Sequence, residues 1–332
     1  MLRFITAGES HGPALVATIE GVPAGLEVTR DGISAELARR RLGYGRGPRM
    51  RLERDEVEIL GGVRFGRTLG GPIAVLIRNT EWPRWTERMN PDPVDPEDQF
   101  AVKRETKPRP GHADLVGMQK YDTYDARDIL ERASARETAA RTVVGHVCKQ
   151  LLRTIGVEVF SHVVRIGSET VDPASAVPGP SDLEAIDASE VRAFAPDSEA
   201  AMVEAIESAK ADRDPLGGVV EVLAYGVPPG LGSHVHWDRK LDGQLAGALM
   251  SIQAIKAVEI GDGLLQASSR GSAAHDEIVV EDEAYGRRSN RAGGLEGGMT
   301  TGEVLRVKAA MKPIATIMRP LDTVDVDTRT AD

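Results

Sequence analysis

One turn sequence occurs twice in this chain, each time after an apolar run typical of a β-strand. Residues 21–26 read GVPAGL and follow the run at 13–20, whereas residues 226–231 read GVPPGL and follow the run at 218–225. Glycine and proline restrict such turns to a few backbone conformations, so a repeated turn predicts a repeated local fold. A helical pattern follows both copies.

A second pair of matches lies further along the chain, in the same order. Two glycines, a threonine and another glycine precede an apolar run in both places, at 61–70 and at 297–302. The two pairs together predict a duplicated strand–turn–helix plan, with sheets and helices in layers. The period is too long for a solenoid.

Hydrophobic periodicity predicts the other elements. Apolar runs rich in β-branched residues predict strands at 13–20, 56–60, 72–78, 157–166, 218–225 and 303–308. Helical periodicity predicts helices at 31–41, 134–152, 199–210 and 239–256. Ser134 and Glu137 have the spacing of a capping box at the start of the second helix. The stretch 168–198, rich in Pro, Asp, Ser and Ala, predicts a long surface excursion.

The charge distribution restricts the partners of the protein. The net charge is −10, yet residues 30–54 contain eight arginines against three acids. A nucleic-acid surface more often accompanies an overall basic balance, so the arginines favour a small anion or internal ion pairs, and no nucleic-acid partner is expected. A solvated helix face is the structural alternative.

The chain has one cysteine, Cys148, and no long apolar segment. A single cysteine excludes an intrachain disulfide framework and a multi-cysteine metal site, and we expect no metal. Because no apolar run reaches signal-peptide or transmembrane length, we expect a cytoplasmic protein without a membrane partner.

Two histidines lie in glycine-containing loops. His11 is in GESHG at 8–12, and His112 is in RPGHAD at 109–114. Flanking glycine lets the backbone bring an imidazole close to a ligand, and imidazole titrates near neutral pH. His11 is therefore a candidate acid toward a departing phosphate. Asp114 either orients His112 or caps the next helix.

Two further segments favour the binding of an anion or a flat ligand. The segment ERASARET at 131–138 places small residues at a predicted helix start, whose free N–H groups bind anions, although an ordinary capped helix has the same pattern. The segment 290–302 has five glycines in thirteen residues, which suits close approach to a ligand but also a flexible loop. On a strand, His234 and His236 would share one face as a candidate metal pair, but no third ligand follows, so a surface or core role is favoured. Trp82 and Trp85 are interpreted as a packed loop.

Together these segments resemble the chorismate synthase family. The motifs stand in the family's order: GESHG at 8–12, RRRLGYGR at 39–46, RPGHAD at 109–114, RASARETAAR at 132–141, and NRAGGLEGGMTTG with MKPIAT between 290 and 316. The resemblance implies a lyase that removes phosphate from 5-enolpyruvylshikimate 3-phosphate by a trans-1,4 elimination and yields chorismate. It implies reduced FMN as the cofactor, without net redox change. NADPH is a candidate electron source, and an external flavin reductase is a candidate partner.

The resemblance also assigns roles to single residues. His11 resembles the acid beside the leaving phosphate, and His112 resembles the histidine that protonates or stabilises the flavin. Arg40, Arg46 and Arg136 resemble residues that bind substrate or NADPH, and we favour the substrate's carboxylate and phosphate. Flavin contacts are implied for Arg132, Ala133, Ser134, Gln253, Ala254, Gly297, Lys312, Pro313, Ile314, Ala315 and Thr316.

The family fold implied by the resemblance is α+β, a β-α-β sandwich with helices between two sheets. It predicts a single domain over 1–332 and a homotetramer. Family members continue past the counterpart of 324–328 into an Arg-Ser-Asp motif, which would lie beyond Asp332. For a protein that ends at Asp332, we expect little turnover and weakened flavin binding.

Three other interpretations are consistent with parts of the sequence. A sugar-phosphate kinase or mutase would need a nucleotide-phosphate loop and Mg²⁺-binding carboxylates, and neither pattern is present. An RNA- or polyanion-binding module would bind with a steep salt dependence, and it leaves GESHG and RPGHAD unexplained. A third interpretation is a catalytically inactive protein of the same fold, which only an activity assay or a ligand-binding measurement distinguishes from the enzyme.

Overall fold

A computed structural model describes residues 2–47, 50, 53–95, 102–172, 175–281 and 283–331. The chain forms two compact units, each with both helices and strands, so the fold is α+β. The first unit contains Met1–Leu42, Arg46–Leu151 and Ala315–Asp332, and the second contains Gly43–Gly45 and Leu152–Ile314. Arg49 and Arg51 of the arginine-rich stretch lie outside the described residues.

Strands and helices are interspersed along the chain. The strands are β1 (Arg3–Ala7), β2 (Ala14–Glu20), β3 (Val57–Gly61), β4 (Val63–Arg64), β5 (Arg67–Thr68), β6 (Ile73–Arg78), β7 (Glu158–Ile166), β8 (Glu169–Thr170), β9 (Gly218–Tyr225), β10 (Ile255–Ile260), β11 (Ile278–Glu281), β12 (Ala284–Arg287), β13 (Leu295–Glu296), β14 (Met299–Thr300), β15 (Leu305–Met311), β16 (Val324–Asp325) and β17 (Thr330–Ala331). The helices are α1 (Arg30–Arg40), α2 (Asp114–Tyr121), α3 (Arg127–Ala133), α4 (Thr138–Arg153), α5 (Leu183–Ala188), α6 (Pro196–Ala211), α7 (Leu241–Met250), α8 (Gly263–Ser268) and α9 (Gly271–Ala274).

The first unit is built on a four-stranded antiparallel sheet in the order β1-β2-β6-β3. Alternate residues of β2 and β6 are buried, which is the pattern of a strand with one face in the core. This core also contains apolar residues of α1 and α4. Its buried members include Leu15, Ala17, Ile19, Ile73, Val75, Ile77, Ile33, Leu37, Val143 and Val147.

The second unit is built on a five-stranded antiparallel sheet in the order β10-β15-β9-β7-β8. One face packs Leu305 and Val307 against the apolar side of α7. The other face packs Phe160 and Leu223 against Ile186 of α5. Successive strand residues point to opposite faces, so apolar residues at consecutive positions supply both cores.

The two sheets share a strand order. The sequence β1-β2-β6-β3 in the first unit corresponds to β7-β9-β15-β10 in the second, with every pair antiparallel. The GVPAGL turn leaves β2 and the GVPPGL turn leaves β9. The two turns therefore occupy corresponding positions in the two sheets.

Several sequence-based boundaries are wrong in detail. The helix predicted at 239–256 ends at Met250, and strand β10 begins at Ile255, because this apolar stretch pairs with β15. The helix predicted from Ser134 begins at Thr138, after a 3-10 turn at Ala135–Glu137. The predicted excursion at 168–198 includes α5, whose Ile186 is fully buried, so burial anchors its middle to the core.

The predicted capping box does not form. Ser134 Oγ accepts a hydrogen bond from the Arg136 N–H at 3.2 Å. The carboxylate of Glu137 instead accepts from the hydroxyl of Thr6 at 2.6 Å and from Arg141 Nε at 2.9 Å. These two partners bind the carboxylate that the box would have required.

None of the helices in the described part of the chain is both long and apolar enough to cross a membrane. Within the same residues, no three or more His, Cys, Asp or Glu side chains are grouped as a metal site. His234 and His236 are exposed in a loop rather than on a strand.

Candidate active site

The GESHG motif forms the loop between β1 and β2, and this loop has a fixed shape. Gly8 has φ +99°, and a Cβ there would lie 2.2 Å from the carbonyl oxygen of Ala14, so only glycine fits. Asn79 Nδ2 donates to the carbonyl oxygens of Glu9 at 3.1 Å and Gly12 at 2.8 Å. The loop that carries His11 is therefore held against the sheet.

The side chain of His11 lies between a carboxylate and an indole. Its Nδ1 is 2.9 Å from Oε1 and 2.8 Å from Oε2 of Glu131 on α3, and its backbone N–H donates to Oε2 at 2.9 Å. The indole of Trp85 stacks on the imidazole, with 3.9 Å between ring centres and 23° between planes. The imidazole keeps 20% of its side-chain surface exposed, whereas Glu131 keeps 1%.

The protonation state of Glu131 follows from its surroundings. Burial raises the pKa of this carboxyl group. The hydrogen bonds from His11 and the charge of Arg127 lower it by more, so the pKa of Glu131 lies below its ordinary value. Glu131 is therefore ionised at neutral pH.

The segment RASAR binds to the same loop. Arg132 donates to the carbonyl oxygen of Thr6 at 2.9 Å and to that of Gly8 at 3.2 Å. Ser134 Oγ donates to Ser10 Oγ at 3.1 Å. Ala133 ends α3, directly before the extended residue Ser134. The structure thus brings Arg132, Ala133 and Ser134 next to the loop of His11.

Arg40 lies at the end of α1 with its guanidinium mostly buried. Burial lowers its pKa to about 10; nearby Asp55 raises it, and the charges of Arg136 and Arg46 lower it. Arg136 and Arg46 are therefore both close enough to Arg40 to repel its charge. Arg40 Nε donates to Thr138 Oγ1 at 3.1 Å, and Arg46 is exposed with its Nε donating to the Leu42 carbonyl at 3.0 Å.

Arg136 is buried among acceptors. Its Nη1 donates to Asp55, its Nη2 lies 3.5 Å from Glu53 Oε2, and its Nε donates to Asn79 Oδ1 at 3.0 Å. The guanidinium keeps only 5% of its side-chain surface exposed. Arg136 therefore belongs to a buried ion-pair network next to Arg40, rather than presenting free donors at the surface.

His112 has a carboxylate partner of its own. Its Nδ1 contacts Asp114, the first residue of α2, and Arg109 Nε donates to Asp114 Oδ2 at 2.9 Å. Burial raises the pKa of Asp114, but the hydrogen bonds from His112 and Arg109 outweigh it and lower the pKa to about 2. Asp114 therefore orients His112. It is the first residue of α2, but the N-cap is Ala113 and no side chain caps this helix, so the capping alternative is wrong. Arg109 Nη1 also donates to Thr316 at 3.4 Å, directly after Ala315 in the chain.

In the second unit, two of the predicted flavin segments meet at the ends of paired strands. The Lys312 N–H donates to the carbonyl oxygen of Ala254 at 3.0 Å, where β10 begins and β15 ends. A Cβ on Gly217 would lie 3.1 Å from Pro313, so this glycine allows 311–313 to pack closely. Ala254 has φ +67°, an uncommon conformation for alanine, and Gln253 precedes it. Pro313 and Ile314 are exposed.

Gly297 lies in the tight turn between β13 and β14. Its φ is +60°, and a Cβ there would meet no atom within 4 Å. The main chain at this glycine is therefore open to approach from outside, whereas Gly293 and Gly294 are packed against neighbouring backbone.

Sequence reasoning did not identify three residues of the first site. Glu131 and His11 are 120 residues apart in the chain, and Asn79 reaches Gly12 from 67 residues away. Trp85 was interpreted as part of a packed loop, and the structure stacks it on His11. No local pattern identifies such partners, because they are selected by tertiary contact.

An α+β unit with two carboxylate-bound histidines and three neighbouring arginines is suited to acid–base chemistry on an anionic small molecule. Comparison with known proteins specifies the class further. Residues 2–332 match the chorismate synthase family. The chain is 63% identical to the chorismate synthase of Thermobifida fusca and 63% identical to that of Acidothermus cellulolyticus, in both cases over 99% of this chain and 84% of the relative. A crystal structure of a chorismate synthase superimposes with a TM-score of 0.78 at 45% identity, over 94% of this chain and 85% of the other.

The chain belongs to the chorismate synthase family. It is accordingly a carbon–oxygen lyase of the shikimate pathway, which serves aromatic amino acid biosynthesis. It eliminates phosphate from the small molecule 5-enolpyruvylshikimate 3-phosphate and forms chorismate. The family uses reduced flavin without a net redox change.

Proposed function

We propose that His11 is the acid that donates a proton from Nε2 to the departing phosphate. The observation that carries the proposal is a partly exposed imidazole on a loop that Asn79, Ser134 and Arg132 hold in place. An acid in a fixed position does not have to be ordered at the moment of reaction.

Arg40 and Arg46 are proposed to bind the phosphate and carboxylate of the substrate. Burial and neighbouring positive charges lower the pKa of Arg40 to about 10, and a bound anion would offset this repulsion. Arg136, whose Nε and Nη1 donate to Asn79 and Asp55, is proposed to act on the substrate through its charge. NADPH as an alternative ligand of these arginines stays a prediction.

Reduced FMN is proposed as the cofactor, and three features support its fit. Gly297 presents open main chain to a flat ligand, and Pro313 and Ile314 are exposed beside Lys312, whose ammonium group suits a phosphate. When bound, reduced FMN supplies electron density transiently as phosphate departs. The resemblance assigns further flavin contacts to Arg132, Ala133, Ser134, Gln253, Ala254, Ala315 and Thr316.

His112 is proposed to stabilise the bound flavin through Nε2. Its Nδ1 is occupied by Asp114, and Arg109 holds that carboxylate and reaches Thr316. The charged partners of His112, Asp114 and Arg109, and their position beside Thr316 support the role.

The family resemblance also supports the larger organisation that we propose. We infer a single functional domain with internal duplication, for which the matched strand orders are the main support. A layered β-α-β sandwich, a homotetramer, an external flavin reductase and a cytoplasmic location stay predictions from the resemblance.

Anaerobic turnover tests the proposal for His11. Protein, dithionite-reduced FMN and 5-enolpyruvylshikimate 3-phosphate are mixed, and phosphate and chorismate are followed together. We expect equal amounts of both products, and a loss of about 100-fold or more in kcat for His11→Ala. His234→Ala, which removes an exposed loop histidine, is the matched control and should retain activity. A His11→Ala protein as active as the control would overturn the assignment.

A further inference from the structure

His11, Glu131, Arg127 and Trp85 form a closed ring of contacts in the first unit. Glu131 contacts His11 Nδ1, and Arg127 Nη1 lies 3.4 Å from Glu131 Oε1. The guanidinium carbon of Arg127 lies 5.2 Å from the centre of the Trp85 ring, and that ring stacks on His11. Each member thus restrains two others.

The contact with Glu131 determines the location of the imidazole proton. An ionised carboxylate only accepts hydrogen bonds, and Nδ1 is within 2.9 Å of both of its oxygens. Nδ1 must therefore carry a hydrogen, so the second nitrogen, Nε2, is the one that gains or loses a proton. Glu81 Oε2 lies 4.0 Å from Nε2.

Trp85 determines the orientation of the ring. A hydrogen bond at Nδ1 alone leaves the imidazole free to tilt about that contact. Stacking on the indole at 3.9 Å removes this freedom, and Arg127 contacts the same indole, with its guanidinium carbon 5.2 Å from the ring centre. The ring edge that bears Nε2 is thus fixed in direction.

We propose that Glu131 is a positioning residue for the elimination: together with Trp85 it fixes the tautomer and direction of His11, so that the proton for the phosphate is held at Nε2. The inference rests on the proposed role of His11. It assigns no contact between Glu131 and the substrate, because the carboxylate keeps only 1% of its surface exposed.

A second histidine–glutamate pair in the chain provides a comparison. His162 Nε2 lies 3.0 Å from Glu221 Oε2 in the second unit, and both side chains are buried, with 5% and 4% of their surface exposed. That pair has the same chemistry but presents no imidazole edge to a ligand. Glu221→Gln is therefore a matched control for the loss of a buried carboxylate beside a histidine.

Nuclear magnetic resonance of isotope-labelled histidine tests the tautomer in the unaltered protein. The His11 signals are assigned by their absence from His11→Ala. We expect neutral His11 to carry its hydrogen on Nδ1. A neutral His11 with its hydrogen on Nε2 would overturn the proposal, and this measurement does not depend on the folding of a Glu131 variant.

Kinetics test the consequence. Glu131→Gln should lower kcat about 100-fold with little change in KM, because binding is intact and proton donation is not. Glu221→Gln should keep its kcat. The double variant, with both His11→Ala and Glu131→Gln, should have the same kcat as His11→Ala alone, since the two residues act as one unit.

The outcomes separate the inference from the function on which it rests. If His11→Ala loses activity but Glu131→Gln, folded by circular dichroism, keeps its kcat, the positioning role is wrong and the role of His11 stands. If His11→Ala itself keeps its activity, the proposed role of His11 fails and the catalytic part of this inference fails with it.

Discussion

Thr68 and Thr300 make the same hydrogen bonds in the two units. The hydroxyl of Thr68 donates to the Pro23 carbonyl at 2.6 Å and accepts from the Leu26 N–H at 2.9 Å. The hydroxyl of Thr300 donates to the corresponding proline carbonyl at 2.7 Å and accepts from the corresponding leucine N–H at 2.9 Å. Each threonine thus closes a GVPxGL turn with its side chain.

Replacing either threonine by valine should destabilise the protein to a similar extent. Valine keeps the shape but leaves the leucine N–H, which is buried at Leu26 and part-buried at Leu231, without its acceptor; this costs about 1–3 kcal/mol of unfolding free energy. Urea denaturation of Thr68→Val and Thr300→Val measures this loss. The serine variants retain the hydroxyl and should lose less. A valine variant as stable as the original protein would show that these hydrogen bonds contribute little.

The paired turns also explain how much of the fold could be predicted from the sequence. Glycine, proline and threonine have restricted local chemistry, so their repeated spacing indicated corresponding positions in the two sheets. The helix predicted at 239–256 extended into the start of strand β10 (Ile255–Ile260), and no strand was predicted there. A short apolar run fits either element, and only pairing with β15 decides between them.

The candidate site was predicted less completely than the fold. Loop glycines and an imidazole are visible in GESHG, but the partners of that imidazole are not. Glu131 and Trp85 contact His11 only because α3 and the segment after β6 pack beside its loop. Arg136 was predicted to bind substrate or NADPH, but its pairing with Asp55, 81 positions away in the chain, could not be predicted.

Asp114 should make the protein more stable near neutral pH than in acid. Its pKa is lowered from 3.8 to about 2 in the folded state, so the folded protein holds the proton less tightly than the unfolded chain. The stabilisation, about 2 kcal/mol, is present above the unfolded pKa and is lost as the pH falls from about 4 toward 2. Asp114→Asn should therefore be less stable at pH 7, with a difference that shrinks in acid.

Unfolding by urea between about pH 3 and pH 7 measures the difference for Asp114→Asn. Asp92→Asn, at an exposed position, controls for the removal of one negative charge. A deficit for Asp114→Asn that is equally large at both ends of the pH range would contradict the linkage to this carboxyl group.

Arg46 and Arg136 should respond differently to substitution. Arg136→Met leaves Asp55 and Glu53 buried without their guanidinium, so it should lose about 3–5 kcal/mol of unfolding free energy. Arg46→Ala removes an exposed side chain and should change stability by less than about 0.5 kcal/mol. Its effect should appear in KM for the substrate, raised about ten-fold or more, because a hydrogen bond to a charged group contributes about 1.5–3 kcal/mol.

Thermal unfolding and steady-state kinetics on the two arginine variants provide the measurements. If Arg46→Ala binds substrate as well as the original protein does, this arginine is not an anion ligand. If Arg136→Met is as stable as the original protein, the buried ion pair is not structural.

Trp85→Ala should reduce turnover, whereas Trp85→Phe should retain most of it. Phenylalanine keeps an aromatic face for His11 and Arg127, and alanine leaves the imidazole free to tilt. We expect about a ten-fold loss in kcat for the alanine variant, because a displaced acid no longer points at the leaving group. Trp237→Ala removes an 80% exposed indole and is the control. Equal kcat values for Trp85→Ala and Trp237→Ala would exclude the stacking role.

Gly297→Ala should raise the Kd for reduced FMN and should lower the unfolding free energy only slightly. Its φ of +60° makes any substitution strained by about 1–2 kcal/mol, yet the added methyl group meets no protein atom within 4 Å. The matched control is Gly230→Ala. Gly230 also has a positive φ, of +93°, and open space around its Cβ position, but it has no assigned ligand. Titration of reduced FMN into both variants, together with their urea denaturation, separates the two effects. A methyl group that blocks the flavin raises its Kd only at Gly297, whereas backbone strain alone would change the unfolding of both variants and leave the two Kd values equal.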